Sequence, residues 1–124
     1  MSLVTAAGGD TGGLFAAIDA KDGAAFVAYL TENAVFRFGS APPVQGRDAI
    51  QAAVDGFFTT IAGCSHVIEN TLHQGNTVVC EGVVTYTRHD GSEIALPFTD
   101  VFEYEGILIA HYKIYIDIGP LLAD

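Results

Sequence analysis

The segment PFTDVFEYEGILIAHYKIYID, residues 97–117, predicts a β-hairpin. Two runs rich in aromatic and β-branched residues flank a Glu-Gly pair, and Gly106 can adopt the positive φ that a tight turn needs. Asp100 lies inside the first run, although its neighbours Phe98, Val101 and Phe102 are apolar. A carboxylate in such a strand costs free energy unless it is hydrogen-bonded or neutralised. Asp100 is therefore the first candidate for a functional group.

The two-residue period extends upstream from this hairpin. It predicts strands near 66–73, 77–88, 93–104 and 107–118. The stretches HQGN, HDGS and EG between them are hairpin turns. Alternation in the first strand puts His66, Ile68 and Asn70 on one face.

The first half of the chain is predicted to be helical. Thr11 can cap a first helix, Asp22 a second, and a third follows Gly46, where Asp48 suits the helix dipole. The third helix has the strongest apolar stripe, with Ile50, Ala53, Val54, Phe57, Phe58 and Ile61 on one side. AVFRFG (34–39) predicts a short strand, and SAPPVQG (40–46) predicts a loop because of its two prolines.

Helices followed by hairpin-linked strands indicate an α+β fold, with a curved antiparallel sheet wrapped around three N-terminal helices. The chain of 124 residues predicts one domain, residues 11–124, after a flexible tail at residues 1–10. Apolar residues occur at both parities of the strands, including Val79, Val84, Tyr112, Ile114 and Ile116. This pattern predicts a homodimer formed through the sheet.

Composition narrows the partners. The net charge of −10 disfavours nucleic acid and anionic membrane surfaces, and no apolar run approaches the length of a membrane span. The N-terminus lacks the pattern of a secretory signal, so a cytoplasmic location is expected. Cys64 and Cys80 form no metal-binding motif, and no phosphate loop or nucleotide fingerprint occurs. We expect a small-molecule ligand, no metal and no cofactor.

The order of elements, with PPVQGR at 42–47 and DVFEYEGI at 100–107, resembles the nuclear transport factor 2-like superfamily. Within it, the SnoaL-like and ketosteroid-isomerase-like branch is most similar, over residues 11–120. This resemblance implies a cone-shaped, cystatin-like fold. The superfamily hosts isomerases, cyclases, hydrolases, dehydratases and non-enzymes, so it does not fix a reaction.

The resemblance also implies roles for individual positions. Asp100 matches the protonated aspartate of the ketosteroid-isomerase oxyanion hole. The tyrosine of that site corresponds to Leu14 and its general base to Arg37 or Phe38, so a faithful ketosteroid isomerase is not expected. The Asp/Arg/Asp network of limonene epoxide hydrolases, near Glu81, Val83 and Ile114, is also missing. His66 matches a cavity histidine of scytalone-dehydratase-like proteins.

Two catalytic candidates follow, Asp100 as acid, base or oxyanion donor and His66 as its partner. Alternatively, Asp100 bonds to the backbone or to Arg37 and only fixes structure, and His66 is a half-exposed strand residue. Whether Glu81 faces inward depends on a register that one residue would reverse. The predicted ligand-binding residues are Phe15, Phe38, Phe57, Asn70, Glu81, Phe102, Tyr112 and Ile114.

The sequence thus predicts an isomerase, cyclase or dehydratase that needs no cofactor and acts on an apolar carbonyl, steroid- or polyketide-like compound. A non-catalytic binding or accessory domain of the same fold is the alternative. A third possibility is a domain whose cavity is too full to bind a ligand.

Overall fold

The computed structural model describes residues 10–123. In chain order it contains α1 (Thr11–Asp19), α2 (Gly23–Val27), β1 (Leu30–Phe38), β2 (Val44–Gln45), α3 (Arg47–Thr59), β3 (Gly63–Gln74), β4 (Thr77–Thr87), β5 (Glu93–Glu105), β6 (Leu108–Tyr115) and α4 (Gly119–Leu122). The α+β class is confirmed. The tail predicted at residues 1–10 lies outside the described part except for Asp10.

The helix starts follow short-range capping chemistry. Asp10, rather than the predicted Thr11, caps α1, because its carboxylate accepts a hydrogen bond from the Gly13 N–H. Asp22 caps α2 in the same way through the Ala25 N–H, as predicted. Gly46 precedes α3 with φ +92°, and Asp48 lies in the first turn of that helix.

The six strands form one sheet in the order β2-β1-β6-β5-β4-β3. The predicted all-antiparallel sheet is corrected at one place, because β1 pairs with β6 in parallel. This pairing brings the first long strand beside the last one. β2, predicted as loop, pairs antiparallel with β1 just after the two prolines, which stay outside the ladder.

A β-bulge in β3 decides which side chains of that strand face inward. His66 pairs with Val84 and Ile68 with Gly82, but Asn70 then pairs with Glu81 rather than Cys80. Glu69 is the extra residue, and it reverses the alternation beyond it. The bulge depends on Gly82, because a Cβ at that position would overlap the Val67 carbonyl oxygen.

The inner face of the sheet packs against the helices, and the core there is mostly aromatic and aliphatic. Val84, Tyr112 and Ile114 belong to this inner side. The prediction that they help to form an apolar outer face is therefore wrong. The outer face still exposes Val67, Leu72 and Tyr115. No helix within residues 10–123 has the length and apolar character to cross a membrane.

Candidate functional site

A cavity of about 640 Å³ lies between the inner face of the sheet and α3. Its volume is within the usual range for small-molecule sites. The deep wall comes from the middle of β1, β4, β5 and β6, and the mouth from the turn after β1 and from the C-terminal segment. Its lining includes Phe38, Phe57, His66, Tyr86, Asp100, Tyr112, Ile114, Asp117 and Leu122. The possibility of a filled cavity is therefore excluded.

Asp100 is the only buried acidic side chain in residues 10–123, with 2% of its surface exposed. The Tyr112 hydroxyl donates a hydrogen bond of 3.1 Å to Asp100 Oδ2. Asp100 Oδ1 is buried and has no hydrogen-bond partner within the described residues. An unpartnered buried oxygen at a cavity wall is a position that a ligand can satisfy.

Burial raises the pKa of Asp100 to about 8, and the hydrogen bond from Tyr112 opposes this rise. At neutral pH the carboxyl group is therefore mainly protonated. Because Tyr112 already donates to Oδ2, the carboxyl proton is best placed on Oδ1. Asp100 is then a neutral hydrogen-bond donor at the cavity wall.

The Tyr112 ring is held rigidly. It makes aromatic contacts with Phe102 at 4.6 Å, Phe36 at 5.2 Å and Phe26 at 5.7 Å between ring centroids. Burial, with the nearby Asp100 second, raises the pKa of the Tyr112 hydroxyl well above its ordinary value, so it remains a donor. These contacts fix which oxygen of Asp100 is left for a ligand.

His66 lines the same cavity from β3, and Asp19 at the end of α1 orients it. Asp19 Oδ1 lies 2.6 Å from His66 Nδ1, and Asp19 Oδ2 accepts a 3.0 Å hydrogen bond from the His66 backbone N–H. Phe15 and Phe98 pack against the imidazole, with centroids at 5.1 and 5.2 Å. With a proton on Nδ1 directed to Asp19, His66 Nε2 is the basic nitrogen.

Cys64 lies beside this pair. Donor atoms of Asp19, Cys64 and His66 are all within 4.8 Å of one another. Burial, followed by the Asp19 carboxylate, raises the pKa of the Cys64 thiol to about 12, which keeps it protonated. Its sulfur is 3.5 Å from the Ile18 carbonyl oxygen. Hydrogen bonds therefore account for the arrangement of these three side chains.

Two predicted ligand-binding residues lie on the wrong face of the sheet. Asn70 and Glu81 are exposed, and the Asn70 amide donates a 2.7 Å hydrogen bond to Glu81 Oε1. The bulge at Glu69 turns Asn70 outward, and Glu81 alternates with the inward-facing Cys80 and Gly82. Their predicted place in the cavity is thus corrected.

The predicted aromatic residues divide into two groups. Phe38, Phe57, Tyr112 and Ile114 line the cavity. Phe15 and Phe102 do not, because they pack against each other at 6.2 Å and fill the part of the interior beneath α1. The cavity therefore opens beside α3 and not in the part of the interior that Phe15 and Phe102 fill.

Sequence reasoning missed two partners. Tyr112 was expected only as an apolar wall, yet it is the hydrogen-bond donor to Asp100. Asp100 pairs with Ile114 and Phe102 with Tyr112, which makes Asp100 and Tyr112 diagonal neighbours on one face, but this register depends on a bulge between Glu103 and Tyr104 that the sequence does not reveal. Asp19 had no signal either, because 47 residues separate it from His66.

The structure also shows what occupies the positions singled out by resemblance. Leu14 is fully buried in the core. Arg37 is exposed on the outer side and donates to the Ala41 carbonyl oxygen at 3.2 Å, so it is not the partner of Asp100. The tyrosine hydroxyl near Asp100 comes from β6 instead of α1.

Comparisons with known proteins agree with this architecture. The sequence matches the family model of the SnoaL-like domain over residues 12–112. The search of curated proteins gave no significant match.

Solved structures show the same fold. A nuclear transport factor 2-like protein of unknown function from Burkholderia pseudomallei K96243 superposes with a TM-score of 0.81 at 17% identity, covering 90% of this chain and 91% of that one. A protein from Jannaschia sp. CCS1, provisionally named a SnoaL-like polyketide cyclase, gives 0.78 at 17% identity over 88% and 83%. An LEH-like epoxide hydrolase of M. tuberculosis gives 0.74 at 16% identity over 87% and 80%.

Proposed function

The chain belongs to the SnoaL-like family, and we propose that it is an enzyme acting on an apolar carbonyl compound of polyketide-like character. The reaction is an isomerisation, cyclisation or elimination that passes through an enol or enolate and needs no cofactor. The provisional name of the Jannaschia relative, a polyketide cyclase, supports this substrate class. At 17% identity the relative cannot supply the reaction, so the site must carry the argument.

The observation that carries the proposal is the buried, unpartnered Oδ1 of Asp100, a residue that lines an apolar cavity. A protonated carboxyl group there donates to the carbonyl oxygen of the substrate. As a neighbouring C–H bond breaks, negative charge develops on that oxygen and the hydrogen bond becomes stronger. Such preorganised donors commonly contribute a factor of about 100 to 1,000 in rate.

His66 is the base in this proposal. Its Nε2 removes the α-proton, leaving the electron pair to form the enolate, and later returns a proton to the carbon skeleton. Asp19 accepts the hydrogen bond from Nδ1 and stabilises the imidazolium that forms in between. The catalytic residues are therefore Asp100 and His66, and Asp19 is a positioning residue.

A test of this chemistry does not require the natural substrate. 2-Acetylnaphthalene is an apolar ketone whose methyl protons exchange only through its enol or enolate. We expect the protein to accelerate deuterium incorporation into this methyl group in D₂O, followed by mass spectrometry. Asp100→Asn and His66→Gln should each remove most of the acceleration, whereas Glu81→Gln on the outer face should not change it.

The outcomes separate the proposal from its alternative. Binding of the ketone without accelerated exchange would favour a non-catalytic binding domain. Exchange that persists in both Asp100→Asn and His66→Gln would reject the assignment of these two residues.

We also propose that the chain forms a homodimer through the outer face of the sheet. Val67, Leu72 and Tyr115 are each more than half exposed there, and burying apolar area of this kind stabilises an interface. Sedimentation velocity at micromolar concentration should give a dimer. Val67→Lys, whose side chain is already outside the core, should shift it to monomer, and an unchanged dimer would place the interface elsewhere.

A further inference from the structure

Each Lys and Arg side chain of the protein has a partner and lies outside the cavity. The chain has five Lys and Arg residues, all within residues 10–123, and none of them lines the cavity. Lys21 donates to the Phe58 and Ile61 carbonyl oxygens, and Arg47 to the Leu30 carbonyl oxygen. These bonds hold the helices to one another and to β1.

The remaining cations lie at the rim or on the outer face. Arg88 donates to the Leu121 and Pro120 carbonyl oxygens and so secures α4. Arg37 donates to the Ala41 carbonyl oxygen, and Lys113, its register partner, lies 3.8 Å from Glu103. No Lys or Arg among the described residues is thus free to accompany an anion into the cavity.

The ionisable groups that do face the cavity are mainly acidic, so they would repel an anion and not attract it. Asp117 is an exposed carboxylate at the mouth, and Asp100 is an acid in the interior. Among the cavity residues within 10–123, only His66 has a side chain that can become cationic, and it is already paired with Asp19 at 2.6 Å. The other charged or titratable groups near Asp100 are Tyr112 on β6 and Cys80 and Tyr86 on β4, none of which is a cation.

Burying a carboxylate or phosphate without a counter-ion is costly, since water would be lost and no opposite charge gained. An uncharged ketone or ester incurs no such cost, and its oxygen can accept the Asp100 proton. An organic cation would need Asp100 to ionise first in apolar surroundings. The charge of a ligand therefore decides whether it can enter the cavity, whatever its shape.

From these contacts we propose that the cavity is an anion-excluding site whose ligand is an uncharged oxygen-bearing compound, such as a ketone or ester, and not a free carboxylate or phosphate. This inference rests on the proposed function for the location of the site, but it concerns binding and not turnover. It implies that any acid group of the substrate is esterified, reduced or lost in a preceding reaction.

The test compares three ligands that share one ring system: 2-acetylnaphthalene, 2-naphthoate and 2-naphthylmethylammonium. Equilibrium dialysis against the full chain at pH 7 measures the three affinities directly. We expect the ketone to bind at least about tenfold more tightly than the naphthoate. Equal or tighter binding of the naphthoate, or no binding of the ketone, would overturn the proposal.

The pH dependence distinguishes the two non-anionic ligands. Ketone affinity should fall as the pH rises from 7 to 9, because the Asp100 donor is lost, whereas ammonium affinity would rise over the same interval. Asp100→Asn keeps an N–H donor at the same place, so ketone binding should persist in this variant and lose its pH dependence. An ammonium ligand that binds best, with affinity rising with pH, would replace the proposal with a cation site.

The same ketone separates failure of this inference from failure of the proposed function. Selective ketone binding without deuterium exchange would leave the inference standing and remove the enzymatic role. Deuterium exchange together with equally tight naphthoate binding would leave the enzymatic role standing and reject the anion-excluding site.

Discussion

Two acids on neighbouring strands show how different the two faces of this sheet are. Cys80 pairs with Asp100 and Glu81 with Thr99, so the two carboxylates are offset by one step of the ladder. Asp100 faces inward, is buried and lines the cavity. Glu81 faces outward, is exposed and accepts a hydrogen bond from Asn70.

One residue of register thus separates a buried acid in the cavity from an acid on the solvent-exposed face. Burial raises the pKa of Asp100 to about 8, whereas Glu81 stays in contact with solvent. Unbroken alternation along β4 and β5 puts Glu81 outside and Asp100 inside. The bulge at Glu69, for which Gly82 leaves room beside the Val67 carbonyl group, puts Asn70 outside. Substitutions on the inner face, on the outer face and at the bulge should therefore have different effects.

The largest effect is expected at the bulge. Gly82→Ala places a methyl group against the Val67 carbonyl oxygen, and backbone cannot move aside easily. We expect a loss of about 3 to 5 kcal/mol in the free energy of unfolding, measured by urea denaturation. Gly56→Ala in α3 is the matched control, since nothing lies within 4 Å of the added Cβ, and it should stabilise by up to about 1 kcal/mol. Equal effects of the two changes would contradict this account of the bulge.

Asp100→Asn should lower the rate of ketone deuterium exchange by about 100-fold, because an amide is a far weaker acid than a carboxyl group. Glu81→Gln makes the same chemical change on the outer face and should leave the rate within a factor of two of the wild type, a bound of roughly 0.4 kcal/mol. A similar loss in both variants would show that the two faces are not chemically distinct.

The stability of the protein should depend on pH through Asp100. Its pKa is raised in the folded state, from 3.8 to about 8, so the folded state retains a proton that the unfolded state releases. Folding stability from this group is greatest below pH 3.8 and declines as the pH rises toward 8, by on the order of 1 kcal/mol per unit. The difference in melting temperature between Asp100→Asn and wild type should therefore increase from pH 5 to pH 8. A constant difference would show that Asp100 ionises normally.

A smaller effect is expected from Asp19→Asn. This change keeps the shape of the side chain but weakens the stabilisation of the His66 imidazolium. We expect roughly a tenfold loss in exchange rate, at the lower end of acid–base contributions, with ketone binding retained. Asp48→Asn, an exposed carboxylate in the first turn of α3, is the control. Loss of ketone binding in Asp19→Asn would indicate a purely structural role.

The smallest effect belongs to the surface pair. Glu81→Gln and Asn70→Ala should each change the free energy of unfolding by less than about 0.5 kcal/mol, as is usual for exposed polar residues. Thermal unfolding followed by circular dichroism would detect a larger change, which would mean that the outer hydrogen bond contributes to holding the bulge.

Much of the fold was predictable because it follows from local patterns. Strand alternation and Gly-containing turns located β3 to β6, and the apolar stripe located α3. Two features could not be predicted. The cap of α1 depends on whether the Asp10 carboxylate or the neighbouring Thr11 binds the helix N-terminus, and the parallel pairing of β1 with β6 depends on a contact between distant segments.

The site was predictable only in part, for the same reason. Asp100 stood out because a carboxylate interrupts an apolar run, and its burial agrees with that pattern. Asn70 was misplaced because a single-residue bulge has no strong signature in the sequence, and Glu81 because the sequence did not settle which parity of β4 faces inward. Asp19 could not be found, because its partner His66 is distant in the chain and meets it only through the packing of α1 on β3.

The most direct test of the central idea is the titration of Asp100 itself. Carbon-13 NMR of protein labelled at the aspartate side-chain carboxyl carbons follows each carboxyl group, and comparison with Asp100→Asn assigns the relevant signal. We predict a midpoint near pH 8 for Asp100, as expected for a neutral acid directed at an apolar cavity. A midpoint near pH 4 would mean that Asp100 is ionised at neutral pH, and the proposed donor role and the charge selectivity of the cavity would both be wrong.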